Sequence, residues 1–388
     1  MKAKLLKGIA AGLALCVSIG LTGCGGTAGE SSSDSSSSVI EETVPAKVGY
    51  IFHKKADNGG FTEQMNLQRQ KAARRCDVET VYIENVSVQD FESAVKALVS
   101  VGCTEIVSCS STFSSVLGSV SSRYMNVKFL NYGSASIGTA NVFNYTETAY
   151  QGAYAAGIAA AYNSKTQKIG IVADPELLYN YATINAAALG VRMVFASGTL
   201  CVAGATDDGE IAQAVDKLIS EDCDVIICYT DSPYSAEYCE KKGVKFVGTL
   251  DYSGRESEYK NMLMYFCAKR DSLFVSQFKQ LKMDTWEPGV YKGAMSNGII
   301  TVSEAQSGCA SEKTQDILNE IVPLLTSEKA YIFSGELKDT NGNVKFMQTD
   351  VMTEAQIYAM DWYVLGVETV GNFRKPHESA PNTFEIKS

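Results

Sequence analysis

Asp57-Asn58-Gly59-Gly60-Phe61 sets a carboxylate, an amide, two glycines and an aromatic ring in consecutive positions, directly behind the apolar run KVGYIF at 47–52. These groups can hydrogen-bond and stack a small ligand, and none of them is a strong nucleophile. Val48, Tyr50 and Phe52 alternate and are joined by Ile51, which predicts a buried strand; helical spacing from Gln64 predicts a helix behind the loop. The loop therefore leaves the carboxyl end of a strand, the edge at which open α/β sheets hold ligands and helix starts offer unpaired N–H groups. Phe61 is either a stacking ring or core at the helix start, and Asp57 and Asn58 either hydrogen-bond a ligand or form an Asx turn before the glycines. Gly59-Gly60 reads as a backbone bend that presents Phe61, because the lysine and helix-start spacing of a phosphate cradle are missing. His53 is the only candidate base near this edge. With no G-x-S-x-G elbow and no zinc-ligand spacing, neither an enzyme nor a cofactor nor a metal is expected.

The elements that position this loop repeat along the chain. Strand-like runs at 47–52, 79–83, 104–109 and 127–131 alternate with helical spacing at about 61–75, 88–101 and 112–122. After the Ala-rich stretch 149–162 the pattern restarts, with strands at 168–173, 198–202, 223–228 and 244–249 and helices at about 182–196, 208–220 and 234–242. Alternation of this kind predicts parallel sheets with helices on both faces, in two lobes. Further candidates then follow other strand ends: Ser110 and Ser111, Asp174 and Tyr179, and Asp231 with Ser232. Each has a plain alternative as a turn residue, and Asp231 ahead of Pro233 also reads as a helix N-cap. Later pieces, a strand at 262–267, a helix at 269–283, strands at 291–295, 298–302 and 330–333 and helices at 312–326 and 353–370, are expected to complete both sheets, so the chain crosses between lobes more than once. Multiple crossovers make a hinge, and the cleft beside a hinge is a common ligand site.

The amino-terminal stretch is an address. Lys2, Lys4 and Lys7 precede an apolar run, Ile9 to Ile19, that closes on Leu21-Thr22-Gly23-Cys24. This looks like a bacterial lipoprotein signal with lipid attached to Cys24, which implies a cell-membrane location on the extracytoplasmic face; the run is too short for a membrane span of about 20 residues. Gly25 to Ser38 is almost all Gly, Ser, Thr and Ala, a tether holding the body roughly 25 Å from its anchor. The formal net charge of −10 argues against nucleic acid as a partner. Cysteines left after the signal and Cys24 are odd in number and several lie in strand-like runs, so buried thiols are expected ahead of disulfides.

The leader, the Asp57–Phe61 loop, Tyr229-Thr230-Asp231-Ser232-Pro233, Gly243-Val244 before the strand ending at Gly248, Lys338-Asp339-x-x-Gly342 and Met360-Asp361-Trp362-Tyr363 resemble together, over about residues 46–370, the basic membrane protein family. Its members are substrate-binding lipoproteins of ABC transporters, similar to purine nucleoside receptors. The resemblance implies a type I periplasmic-binding-protein fold, two doubly wound parallel-sheet lobes joined by a multi-strand hinge. It further implies a monomer that closes on a purine nucleoside or free purine base and hands it to ABC permease subunits. An acidic ligand contact just past Gly248 falls on Asp251, and Phe266 is an aromatic candidate. Where such receptors usually carry a lysine after the 262–267 strand, this chain has Ala268, with Lys269 one step later. The expected division is a signal peptide at 1–23, anchor and tether at 24–45, one lobe from 46–147 plus about 266–330, the other from 148–265 plus about 331–370, and a tail at 371–388. A sensor of the same fold, or a receptor for another solute such as a sugar, would share these features.

Overall fold

Strands and helices alternate through the residues that the computed structural model describes, 46–133, 137–175, 180–347, 349–371 and 384–388; Cys24 and Tyr179 lie outside the described residues. In chain order they are β1 (Lys47–Ile51), α1 (Phe61–Cys76), β2 (Glu79–Ile83), α2 (Phe91–Ser100), β3 (Glu105–Ser108), α3 (Ser114–Ser121), β4 (Lys128–Tyr132), β5 (Val142–Glu147), α4 (Ala149–Asn163) and β6 (Lys168–Ala173). There follow α5 (Asn180–Val194), β7 (Thr199–Gly204), α6 (Asp208–Ser220), β8 (Val225–Tyr229), α7 (Tyr234–Lys242), β9 (Lys245–Gly248), β10 (Met262–Ala268), α8 (Asp271–Lys282) and β11 (Gly289–Gly293). The last are β12 (Ile300–Val302), α9 (Glu312–Thr326), β13 (Leu337–Lys338), β14 (Val344–Phe346), α10 (Glu354–Tyr358) and β15 (Val367–Thr369).

Two large sheets result, ordered β11-β5-β4-β3-β1-β2 and β12-β10-β9-β8-β6-β7-β15, with β13 and β14 forming a separate two-stranded ribbon. All pairings in the large sheets are parallel except β12 against β10. Each large sheet is buried on both faces, as parallel sheets require. The first packs one face around Phe91, Phe113 and Phe129 and the other around Tyr50, Phe52 and Phe274; the second divides in the same way. In each sheet the order reverses at one strand, β1 or β6, so the loops leaving it and its neighbour part to opposite faces and leave a crevice.

The chain passes between the sheets at 147–149, 268–271 and 293–300. These crossovers are bonded to one another: Thr148 N donates to Gly293 O at 2.8 Å, and Met295 N donates to Gln151 Oε1 at 3.0 Å. After the crossover at 268–271, α8 and β11 return to the first sheet. β12 and α9, expected with the first lobe, belong to the second, because Ile300 pairs with Ala268 and Leu318, Ile321 and Leu325 pack into the α4–α5 side of that core. Part of the expected tail is docked instead: Lys387 pairs with Tyr82 on the first sheet's outer strand and its ammonium reaches Glu84 at 2.5 Å.

The segment expected as one helix over 353–370 is helical only in α10, which starts on a Thr353–Gln356 capping box. Beyond it Asn185 takes the backbone, donating to Trp362 O at 2.9 Å and accepting from Val364 N at 2.9 Å. Gly366, at φ +98°, then turns the chain into β15. The run 330–333 forms no strand, and β5 is an additional one whose polar Asn144 and Thr146 interrupt the apolar pattern. Among the described residues nine cysteines are free thiols, seven of them buried.

Candidate functional site

Carboxyl ends of β1, β3, β4 and β5 from one sheet and β6, β8, β9 and β10 from the other border a cleft with about 990 Å³ of empty space, counted out to its open mouth. Among the residues singled out from sequence, Phe61, Ser110, Ser111, Asp174, Asp231 and Phe266 line it. They arrive there for one reason: each follows or closes a strand at the same edge of its sheet.

At the floor sits a buried ion pair. Arg270, in the crossover from β10 to α8, holds Glu147, at the end of β5, through Nε to Oε1 at 2.6 Å and Nη2 to Oε2 at 2.8 Å. Gln68 of α1 fixes the crossover, accepting from Arg270 N at 3.0 Å and donating to Ala268 O at 3.0 Å. Tyr132 donates to Glu147 Oε2 at 3.3 Å, Tyr145 donates to Oε1, and Tyr358 donates to the Glu147 carbonyl at 3.1 Å. Burial alone would depress the Arg270 guanidinium, but Glu147 outweighs it and the pKa lies above the ordinary arginine value. Burial, then the Glu147 charge, pushes the Tyr132 and Tyr145 phenols well up, so both remain neutral donors. The guanidinium also lies 4.5 Å from the Phe61 ring centre, and Tyr132 flanks Phe61 at 5.6 Å.

Two further contacts span the cleft. Lys54, behind β1, meets the buried Asp174, behind β6, at 2.9 Å. Asp231, behind β8, accepts from Thr62 N at 3.0 Å and from Thr62 Oγ1 at 2.8 Å, at the start of α1. His53 turns Nδ1 toward Val86 O at 2.8 Å, with its ring edge-on to Phe113. Lys54 is thus matched to Asp174 and Arg270 to Glu147, while the Asp231 carboxylate is taken up by hydrogen bonds from Thr62 and Asn58, and what remains for a ligand is aromatic surface and neutral hydrogen-bonding groups.

Four sequence candidates fall outside the cleft lining: Asp57, Asn58, Ser232 and Asp251. Asp57 is exposed. Asn58 serves the helix start, its Oδ1 accepting from Gly60 N at 3.0 Å and Glu63 N at 3.2 Å. Ser232 donates to Asp208 at 3.0 Å. Asp251 closes a turn on Ser253 N at 3.0 Å and stands 3.7 Å from Lys269, while Thr249 and Leu250 before it take the cleft wall. Conversely Glu147, Arg270, Tyr132, Tyr229 and Thr62 escaped the sequence reading. Arg270 stands in a Lys-Arg-Asp run that reads as a solvated helix start; the only available signal for Glu147 was its place at the end of an unanticipated strand.

Comparisons with known proteins agree with this architecture. A purine-binding protein of Brucella abortus is 23% identical over 331 residues, covering 83% of this chain and 93% of that protein. A Haloferax volcanii protein named as an ABC transporter glucose-binding protein is 24% identical over 269 residues, 68% of this chain and 67% of that one. An ABC transporter solute-binding protein of Aeropyrum pernix superposes with a TM-score of 0.64 at 16% identity, covering 76% of this chain and 93% of that one, a likeness of fold. The model of the PnrA-like ABC transporter substrate-binding proteins matches residues 46–340, and the chain belongs to that family.

Proposed function

We propose that this receptor captures a purine nucleoside or a free purine base in the cleft and delivers it to a membrane permease, held to the membrane by lipid on Cys24. The observation that carries the reading is the Phe61 ring, flanked by Tyr132 and backed by Arg270, in a cleft where Arg270 is paired with Glu147, Lys54 with Asp174, and Asp231 is hydrogen-bonded by Thr62. A flat, uncharged heterocycle gains stacking there without leaving a buried charge unmatched. Ser110, Ser111, Thr230 and the Tyr229 phenol line the same space and supply neutral donors and acceptors for ring edge and ribose. The purine-binding relative supports this choice of ligand. Substrate-binding proteins of ABC transporters are extracytoplasmic, and among the described residues no helix is long and apolar enough to cross a membrane. In mechanism, the ligand bridges the two sheets, favours the closed form by its contacts there, and the permease reads that form.

The relative named for glucose favours a second reading, a sugar stacked on the same aromatic wall. One experiment separates the two. Thermal unfolding with adenosine, inosine, guanosine, free purines and glucose should give a rise of several degrees for a purine at about 100 times its dissociation constant, where linkage adds roughly 2.7 kcal/mol. A shift with glucose and none with any purine rejects the proposal. Phe61→Ala should weaken purine binding by about 1–3 kcal/mol of stacking, read by calorimetry.

A further inference from the structure

The geometry points to Asp231 as a latch between the two lobes, a positioning residue that holds the Phe61-bearing end of α1 from the opposite side of the cleft. Asp231 stands two residues before Pro233, between β8 and α7, yet its carboxylate does not cap its own helix: α7 begins after Pro233 with no side-chain cap. It caps α1 of the other lobe, taking the Thr62 amide at 3.0 Å and the Thr62 hydroxyl at 2.8 Å. Asn58 adds Nδ2 to the Asp231 carbonyl at 3.1 Å and to Oδ1 at 3.2 Å. A carboxylate on the unpaired N–H groups of a helix start is favoured by both hydrogen bonding and the helix dipole.

The two glycines are shaped to this contact. A Cβ on Gly60 would meet the Asp231 backbone at 2.8 Å, and one on Gly59, already at φ +73°, would meet the Pro233 ring at 2.8 Å. Gly59-Gly60 therefore admits the 231–233 segment of the second lobe against the first, a role different from presenting Phe61 alone. Since every partner is protein, closure needs no ligand to form this contact, and a ligand's affinity includes whatever fraction of receptor the latch already closes.

The test uses ligand-free protein, so its failure is separate from failure of the purine reading. Asp231→Ala and Gly60→Ala remove the latch from opposite lobes, the first by deleting the acceptor and the second by steric exclusion. Each should enlarge the radius of gyration in small-angle scattering and speed hydrogen exchange at the Thr62 amide by at least about tenfold, the loss of one charge-assisted bond. The double variant should go no further than either single one, because both break one contact. Asp231→Asn, which keeps one acceptor and the volume, should fall between wild type and alanine and stands in if alanine compromises folding. Unchanged dimensions in Asp231→Ala and Gly60→Ala, or additive effects in the pair, would overturn the latch.

Discussion

Arg270→Ala is expected to lower the unfolding free energy by about 3–5 kcal/mol, because it leaves the Glu147 carboxylate buried without its cation. Both side chains are nearly sealed from solvent, at 2% and 5% exposed, so water cannot take over the lost partner. Two tyrosine hydroxyls alone would face that charge, and the guanidinium's contact with Phe61 would go as well. The pair also ties two of the crossovers, the ends of β5 and β10, so the damage falls on the hinge and not only on one lobe. A melting point about 4–7 °C below wild type would accord with this. Arg270→Lys should recover only part, since an ammonium cannot make the two-pronged contact. Combining Arg270→Met with Glu147→Leu should recover most of the loss, because replacing both charges removes the desolvation cost together with the attraction. If Arg270→Ala melts like wild type, the pair has no role at the hinge.

The contrast between Arg270 and Asp231 shows what sequence could and could not reveal. Strands and helices in the first two-thirds followed from apolar alternation and helical spacing, and these are local properties of the chain. Their order in space follows from the pattern too, since βαβ units have few ways to assemble. Phe61, Ser110, Ser111, Asp174 and Asp231 could then be found by their position after strand ends. What each does there depended on partners distant in sequence. Asp231 was legible as a cap residue, but the helix it caps lies 169 residues away. Arg270 was indistinguishable from the solvated Lys269 beside it until β10 and α8 fixed which of the two points inward. Asp251 failed in the opposite sense: its turn with Ser253 is a local interaction that wins over the cleft. The same competition explains the shortened α10, where Asn185, from a helix more than a hundred residues earlier, claims the backbone.

Glu105 predicts a pH effect at the opposite end of the first sheet. It is 0% exposed at the start of β3, on the face shared with Val48 and Tyr50, and neither of its carboxyl oxygens has a hydrogen-bond partner among the described residues. Burial raises its pKa to about 8, with Lys128, its neighbour in register on β4, pulling the other way. The folded protein therefore keeps a proton that the unfolded chain gives up near pH 4.5. Stability from this group is complete below that value, declines as pH rises toward about 8, and is lost above it, a total of a few kcal/mol. Glu105→Gln, which mimics the protonated acid, should match wild type near pH 5 and melt at a progressively higher temperature than wild type up to pH 9. Taking the difference between the two proteins cancels the titrating groups that do not interact with Glu105, and the Tyr50 phenol, which burial foremost and Glu105 in part hold well above its ordinary value, stays protonated over this range. Because β3 carries Glu105 at its amino end and the cleft lies at its carboxyl end, ligand affinity should be the same in both. A difference in melting temperature that stays constant from pH 5 to pH 9 would mean that Glu105 is ionised throughout, with its charge compensated by Lys128.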